Sequence, residues 1–353
     1  MKQLAISILL TVLATVSPLA AQSFSTQMKD GNTVFFTITD AKKHTVEVSR
    51  RPALSRGDEM FPRGALTIPS SVRYRDAVWS VTAIADKAFE GAAGLESVSL
   101  PTALTRMGSS AFANCTSLRG VVFSGSQIQL PRDAFSGCTA LENITFGGDW
   151  TEVDLAVFKD SQSLRTIRIP ARVKQINNLK ALVSLENVEV DGNNPNFASV
   201  DGLLYSKDGK TLYACPRGRS GSIEVKEGTE TILEGAILDC SVLERVVLPA
   251  TVTRLSYLEF SRCANLVSLT LLSDKPLATA RREGAEVFCL RRPSDALTVY
   301  VPLKSLMAYR KALCTDAGHY ENLEGRQKAY YQDKGFLKKN AVKAILKTPG
   351  ARK

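Results

Sequence analysis

The 353-residue chain is 44% hydrophobic but only 7% aromatic, a balance that suits a well-cored protein whose interior is filled by Leu, Val and Ile. Its net charge of +10 is not a nucleic-acid signature, because residues 326–353 hold nine basic residues against Asp333 alone, an excess of eight, and leave the rest close to neutral. No stretch approaches the roughly 18 uninterrupted apolar residues that a membrane-spanning helix needs.

Taken in chain order, Lys2 precedes an apolar run from Leu4 to Val16, followed by Pro18 and the small residues Ala20 and Ala21. That layout predicts a secretory signal over residues 1–21, cleaved after Ala21. No cysteine lies near the cleavage point, which argues against lipid attachment there. Residues 22–65 are expected to form an N-terminal β segment that caps the rest of the fold.

From Leu95 the sequence repeats itself. Leu95, Leu118, Leu141 and Leu164 are each 23 residues apart, and Leu243 and Leu266 restore the interval further on. A fixed period of this length, rich in leucine, signals stacked repeats. The unit reads LxxVxLPxxLxxMxxxAFxxCxxL, with Val98, Leu100, Pro101, Leu104, Met107, Ala111, Phe112 and Cys115 in the first copy. The second supplies Val121, Phe123, Ala134, Phe135 and Cys138, and the third drifts to Ile144, Phe146, Trp150 and Phe158. The fourth keeps Ile167, Ile169 and Pro170 before a two-residue deletion leads to Leu185. Later copies carry Ile223, Val225, Ala236, Ile237 and Cys240, then Val246, Leu248, Pro249, Phe260 and Cys263.

Two apolar positions separated by one polar residue mark one face of a short strand. The proline after the strand removes a backbone donor and ends the pairing, and AFxxC then turns the chain inward. One unit cannot bury its own apolar face, so neighbours must stack and share an elongated core. Eight or so rungs at about 4.8 Å per strand give a repeat solenoid, mainly β, on the order of 40 Å long.

The phrases "VTAIADKAFEGAAGLESVSLP" and "VTRLSYLEFSRCANL" resemble the BspA-like class of bacterial leucine-rich repeats. The resemblance extends to the insert "NNPNFASVDGLLYSKDGKTLYACPRGRSGSIEVKEG" and to "VYVPLKSLMAYRKA", similar to a closing strand and helix. It implies repeats over residues 66–190, an inserted hairpin module over 191–219, repeats again over 220–296 and a strand-helix cap over 297–325. A basic tail occupies 326–353. Ala103 stands where better-known leucine-rich repeats place an asparagine, so horseshoe curvature is not implied. The resemblance also implies a secreted or surface protein that adheres to host matrix or other cells.

Cys115, Cys138, Cys240 and Cys263 share one slot of the repeat, where a small buried hydrophobe is expected rather than a disulfide. Cys215, Cys289 and Cys314 fall outside it, and a pair among them is a candidate bridge. The stretch "FLKKNAVKAILK" reads as an amphipathic helix with Leu337, Ala341 and Ile345 on one side, as a solvated tail, or as a helix that caps the last rung.

Catalysis finds little support. His44 and His319 are the only histidines, no GxSxG, HExxH or phosphate-loop pattern occurs, and neither a metal nor a cofactor is expected. Function is expected on the outward strand positions, where Thr145, Thr166, Arg168 and Arg245 are the candidate ligand contacts. The insert adds Tyr205, Tyr213, Arg217 and Arg219, a composition like that of interface hot spots. The expected partner is an extracellular protein or glycan, not nucleic acid, bound by a monomer. A second reading is a periplasmic structural protein held to an anionic envelope component by its tail.

Overall fold

The computed structural model describes residues 22–50, 61–147, 149–256, 259–279, 296–313 and 342–344. The signal segment, Cys289, Cys314, His319 and all of residues 326–353 except 342–344 lie outside them. At the N-terminus, β1 (Ser23–Gln27), β2 (Thr33–Asp40) and β3 (Thr45–Val48) form an antiparallel meander. Val34, Phe36, Val46 and Val48 alternate inward, as the period of a strand requires. Two further elements, β4 (Gly64–Thr67) and β5 (Ser71–Tyr74), lead to β6 (Ala77–Ile84), which pairs antiparallel with β5 and parallel with β3. This small sheet joins the repeats through β6, whose Ala83 and Ile84 pair with Arg106 and Met107.

Parallel ladders come next. β7 (Leu95–Leu100), β9 (Gly120–Phe123) and β10 (Asn143–Phe146) stack on β4, with β8 (Arg106–Met107) pairing β6 to one side. Their register equates Ser97, Gly120 and Asn143, and equates Val98, Val121 and Ile144. The 23-residue period of the sequence is therefore one strand step of the ladder. Beyond β10 lie β11 (Glu152–Asp154), β12 (Thr166–Ile169), β13 (Gln175–Asn177) and β14 (Asn187–Val190), paired β11 with β13 and β12 with β14. Thr166 faces Asn187, so the two-residue deletion is absorbed in the turns without moving the strand register.

The AF turn is the inward corner of each rung. Phe89, Phe112 and Phe135 form a column of stacked rings, 5.0 and 5.2 Å apart and nearly parallel, which Phe158 extends at 5.3 Å. Backbone bonds close the same corner, since Phe89 N–H donates to Ala111 O and Phe112 N–H to Ala134 O, both at 2.8 Å. Three residues after Phe112, Phe135 and Phe260, a cysteine thiol donates back to the previous rung: Cys115 to Phe89 O at 3.3 Å, Cys138 to Phe112 O and Cys263 to Ile237 O at 3.1 Å. The slot therefore takes a small buried side chain, filled by Ala92 after Phe89 and by Ser161 after Phe158, and the thiol adds a weak hydrogen bond where cysteine stands there. Cys115, Cys138, Cys215, Cys240 and Cys263 are all buried free thiols. The adjacent Cys138 thiol and burial together push Cys115 up from its ordinary value.

The insert packs into the fold rather than standing off it. β15 (Phe197–Val200), β16 (Leu203–Ser206) and β17 (Thr211–Ala214) form an antiparallel meander that rejoins the repeats through β19 (Thr231–Ile232). Asp201 and Gly202 both take positive φ at the β15–β16 turn, the conformation a tight right-twisted hairpin demands. Both faces of β16 are buried. Leu204 joins the core built by residues before it, whereas Leu203 and Tyr205 join the core built by residues after it. The insert thus couples two apolar clusters.

Beyond it, β18 (Gly221–Glu224), β20 (Leu243–Leu248), β22 (Ser268–Leu271) and β24 (Thr298–Val301) form a second parallel ladder. The short strands β21 (Arg254–Leu255) and β23 (Ala278–Thr279) pair alongside. Helix α1 (Leu306–Leu313) comes after β24, and its fully buried Tyr309 directs its hydroxyl at the carbonyls of Ser273 and Lys275. Among the described residues the last rung is β25 (Val342–Ala344), parallel to β24 with Val342 wholly buried. These three residues lie in the stretch whose pattern reads as a helix or a solvated tail. The correction has a simple cause: Val342 fits the apolar row set by Val299, and Lys343 points outward beside Tyr300.

Candidate functional site

The outward positions of the ladders form a strip of short side chains. Ser97, Ser99, Thr166 and Ser268 are half-buried, and Val122, Asn143, Thr145, Arg168 and Arg245 are exposed. Thr270 is an outward position by alternation but is only 9% exposed, closed in by its neighbours Val247 and Tyr300 across the ladder.

The strip is interrupted at one place. β10 and β12 lie side by side, yet no ladder pairing joins them among the described residues. The step below is closed by Gly147 N–H donating to Phe123 O at 2.7 Å. The matching residue above is Pro170, which has no N–H to offer Phe146. A groove of about 360 Å³ opens over this junction. Its floor is Ile144, Phe146, Ile169 and Val190, and its rim is Thr145, Arg168, Pro170, Glu189 and Asp191.

Arg168 Nε donates to Glu189 Oε2 at 2.7 Å, and that bond pushes the guanidinium pKa further up. Asp191 Oδ1 accepts the Asn193 N–H at 2.9 Å. Thr145 and Arg168 thus come together in the groove, and Thr166, on the same strand as Arg168, stands outside its lining. Arg245 does not join them. It stands on the second ladder, exposed, with Glu244 at 3.9 Å.

The four insert residues are committed to the fold. Tyr205 is 0% exposed, and its hydroxyl accepts the Lys226 N–H at 3.1 Å. Tyr213 packs edge-on against Phe197 at 5.8 Å. Arg217 donates to Lys180 O at 3.0 Å. Arg219, 19% exposed, clamps Asn187 Oδ1 at 3.0 Å and Asp201 Oδ2 at 2.7 Å, tying β14 to the β15–β16 turn. Tyr205 is closed off from water, whereas Tyr213, Arg217 and Arg219 are half-buried and make these contacts within the fold.

Sequence reasoning missed Glu189 and Asp191. The two-residue deletion hid the register of "LENVEV", although Val188 and Val190 already mark Glu189 as outward-facing. Among the described residues no group of three or more His, Cys, Asp or Glu side chains could hold a metal ion, and no helix is long and apolar enough to cross a membrane.

Parallel strands recurring every 23 residues, with Leu and Phe columns inside and an outward strip of short side chains, define a mainly-β leucine-rich repeat protein. The family model for the BspA type leucine rich repeat region matches six copies over residues 70–186 and 213–278, and the chain belongs to that family. It is similar to the solved pneumococcal vaccine antigen PcpA, at 17% identity over 83% of this chain and 97% of that one, with a TM-score of 0.43. A leucine rich cell surface protein from Faecalibacterium prausnitzii is 18% identical over 87% and 97% of the two chains, with a TM-score of 0.40. A leucine-rich repeat protein from Bacteroides ovatus is 20% identical over 76% and 69%, with a TM-score of 0.44. Among curated proteins no match was found.

Proposed function

We propose that this chain is an exported, non-enzymatic recognition module whose ladders form one continuous solenoid. Its outward strand face, centred on the groove at Thr145, Arg168 and Glu189, engages a protein or glycan outside the cytoplasm. The observation that carries the reading is the groove itself, a concave site with an apolar floor and a few convergent polar groups, the usual composition of a binding site. Family membership and the secretory layout of residues 1–21 support the extracellular setting. Blocking the groove is the test: Thr145→Arg should abolish retention of the protein on immobilised matrix proteins or glycans, with its melting temperature unchanged. Retention equal to wild type would refute the placement.

A second reading, a periplasmic protein held to an anionic envelope component, is favoured by the nine basic residues of 326–353. Contacts of that kind are screened over about 8 Å at physiological ionic strength and fade as salt rises. Cell fractionation with a salt wash separates the two: the first places the protein outside the cell and salt-resistant on its partner, the second within the envelope and salt-released.

A further inference from the structure

Resting on the reading of the strand face as a recognition surface, we propose that the groove between β10 and β12 takes a short extended peptide segment presenting a lysine or arginine side chain. Its volume of about 360 Å³ admits a segment of chain rather than a folded partner surface. The apolar floor receives the aliphatic stem of a long basic side chain, which is how such stems are accommodated while the charged head stays at the polar edge.

Charge selects the head group. The rim carries two carboxylates, Glu189 and Asp191, against one guanidinium, and Arg168 is already compensated by Glu189 at 2.7 Å. Asp191 spends Oδ1 on the Asn193 N–H, and no ion pair involves its carboxylate among the described residues. A cation arriving beside Asp191 completes the balance, whereas an anion would meet an uncompensated charge. The terminal nitrogens of Arg168 retain donors for a peptide carbonyl, because only Nε is engaged with Glu189. A sugar ring finds less here. The one aromatic side chain of the groove, Phe146, is buried in the floor and offers no exposed face for stacking.

The test uses three blocked pentapeptides identical except for lysine, norleucine or glutamate at the centre, titrated calorimetrically into the protein at low and moderate salt. The lysine peptide should bind at least tenfold tighter than the glutamate peptide. That preference should shrink several-fold in Asp191→Asn and with rising salt, while the melting temperature of the variant stays at the wild-type value. Equal binding of lysine and norleucine peptides, preference for glutamate, binding of a neutral oligosaccharide but of no peptide, or no binding at all would each overturn the proposal. Thr145→Arg separates the ligand class from the site. If no peptide binds but Thr145→Arg still abolishes retention on matrix, the ligand class is wrong and the site stands. If retention survives Thr145→Arg, the site itself is wrong.

Discussion

Truncating Phe112 to alanine removes the middle of the aromatic column. The ring is fully buried and lies between Phe89 at 5.0 Å and Phe135 at 5.2 Å. Loss of a buried phenylalanine costs about 3–5 kcal/mol, the transfer and cavity contributions combined. Each ring pair adds about 0.5–1.5 kcal/mol beyond burial. Phe112 stacks on both sides, whereas Phe89 stacks in this column on Phe112 alone, so Phe112→Ala should cost about 1 kcal/mol more than Phe89→Ala. Urea unfolding measures both totals. Amide hydrogen exchange should show the protection lost at Phe89–Ala92 and Ala134–Cys138 as well as at the mutated rung, because stacked repeats share their interfaces. A loss under about 1 kcal/mol, or damage confined to one rung, would refute the column as the spine of the repeat.

Three other outcomes rest on the same geometry. Cys115, Cys138, Cys215, Cys240 and Cys263 should resist alkylation in the native protein and all react as free thiols in denaturant, and disulfide-linked peptides among them by mass spectrometry would contradict the thiol-to-carbonyl assignment. Glu259 replaces the alanine of the AF phrase, is buried, and accepts from Gly235 N–H, Ile237 N–H at 3.1 Å and Ser256 Oγ at 3.1 Å, with Lys180 beside it. Burial raises its pKa against the pull of those donors, so its stabilising contribution is complete below the ordinary carboxylate pKa and is lost as pH rises through the raised one. The stability of wild type relative to Glu259→Gln should therefore fall with rising pH across that interval; a difference independent of pH, or growing with it, would contradict the assignment. Arg219→Ala should destabilise by about 1.5–3 kcal/mol, the range for hydrogen bonds involving a charged group, and a chemical-denaturation midpoint equal to wild type would show that the clamp on Asn187 and Asp201 is idle.

The rungs are legible in the sequence because one phrase sets both the strand and the corner: Val98 and Leu100 fix a two-residue alternation, and Phe112 and Cys115 return at the strand register itself. Local pattern is weakest where tertiary context decides. Tyr205, Tyr213, Arg217 and Arg219 read as a surface cluster because composition reveals neither that β16, which carries Tyr205, is buried on both faces nor that Tyr213, Arg217 and Arg219 have partners within the fold. Val342, Lys343 and Ala344 are hidden in a lysine-rich stretch that supports a helical pattern as readily as a strand, and only the neighbouring row of β24 selects the strand. Alternation marks Thr145 and Arg168 as outward-facing, but their groove depends on a missing ladder step between β10 and β12 and on Glu189 and Asp191 beyond the deletion.

The central claim, that recognition lies on the strand face at this groove, is tested most directly by photo-cross-linking. A benzophenone side chain placed at Val122, exposed and paired with Thr145 on the ladder but outside the groove lining, should capture a purified matrix protein that the wild-type protein binds, with the cross-linked peptide mapped by mass spectrometry, and the same group at the exposed Leu233, away from the groove, should capture none. Equal capture at the two positions, or capture at Leu233 alone, would contradict the account.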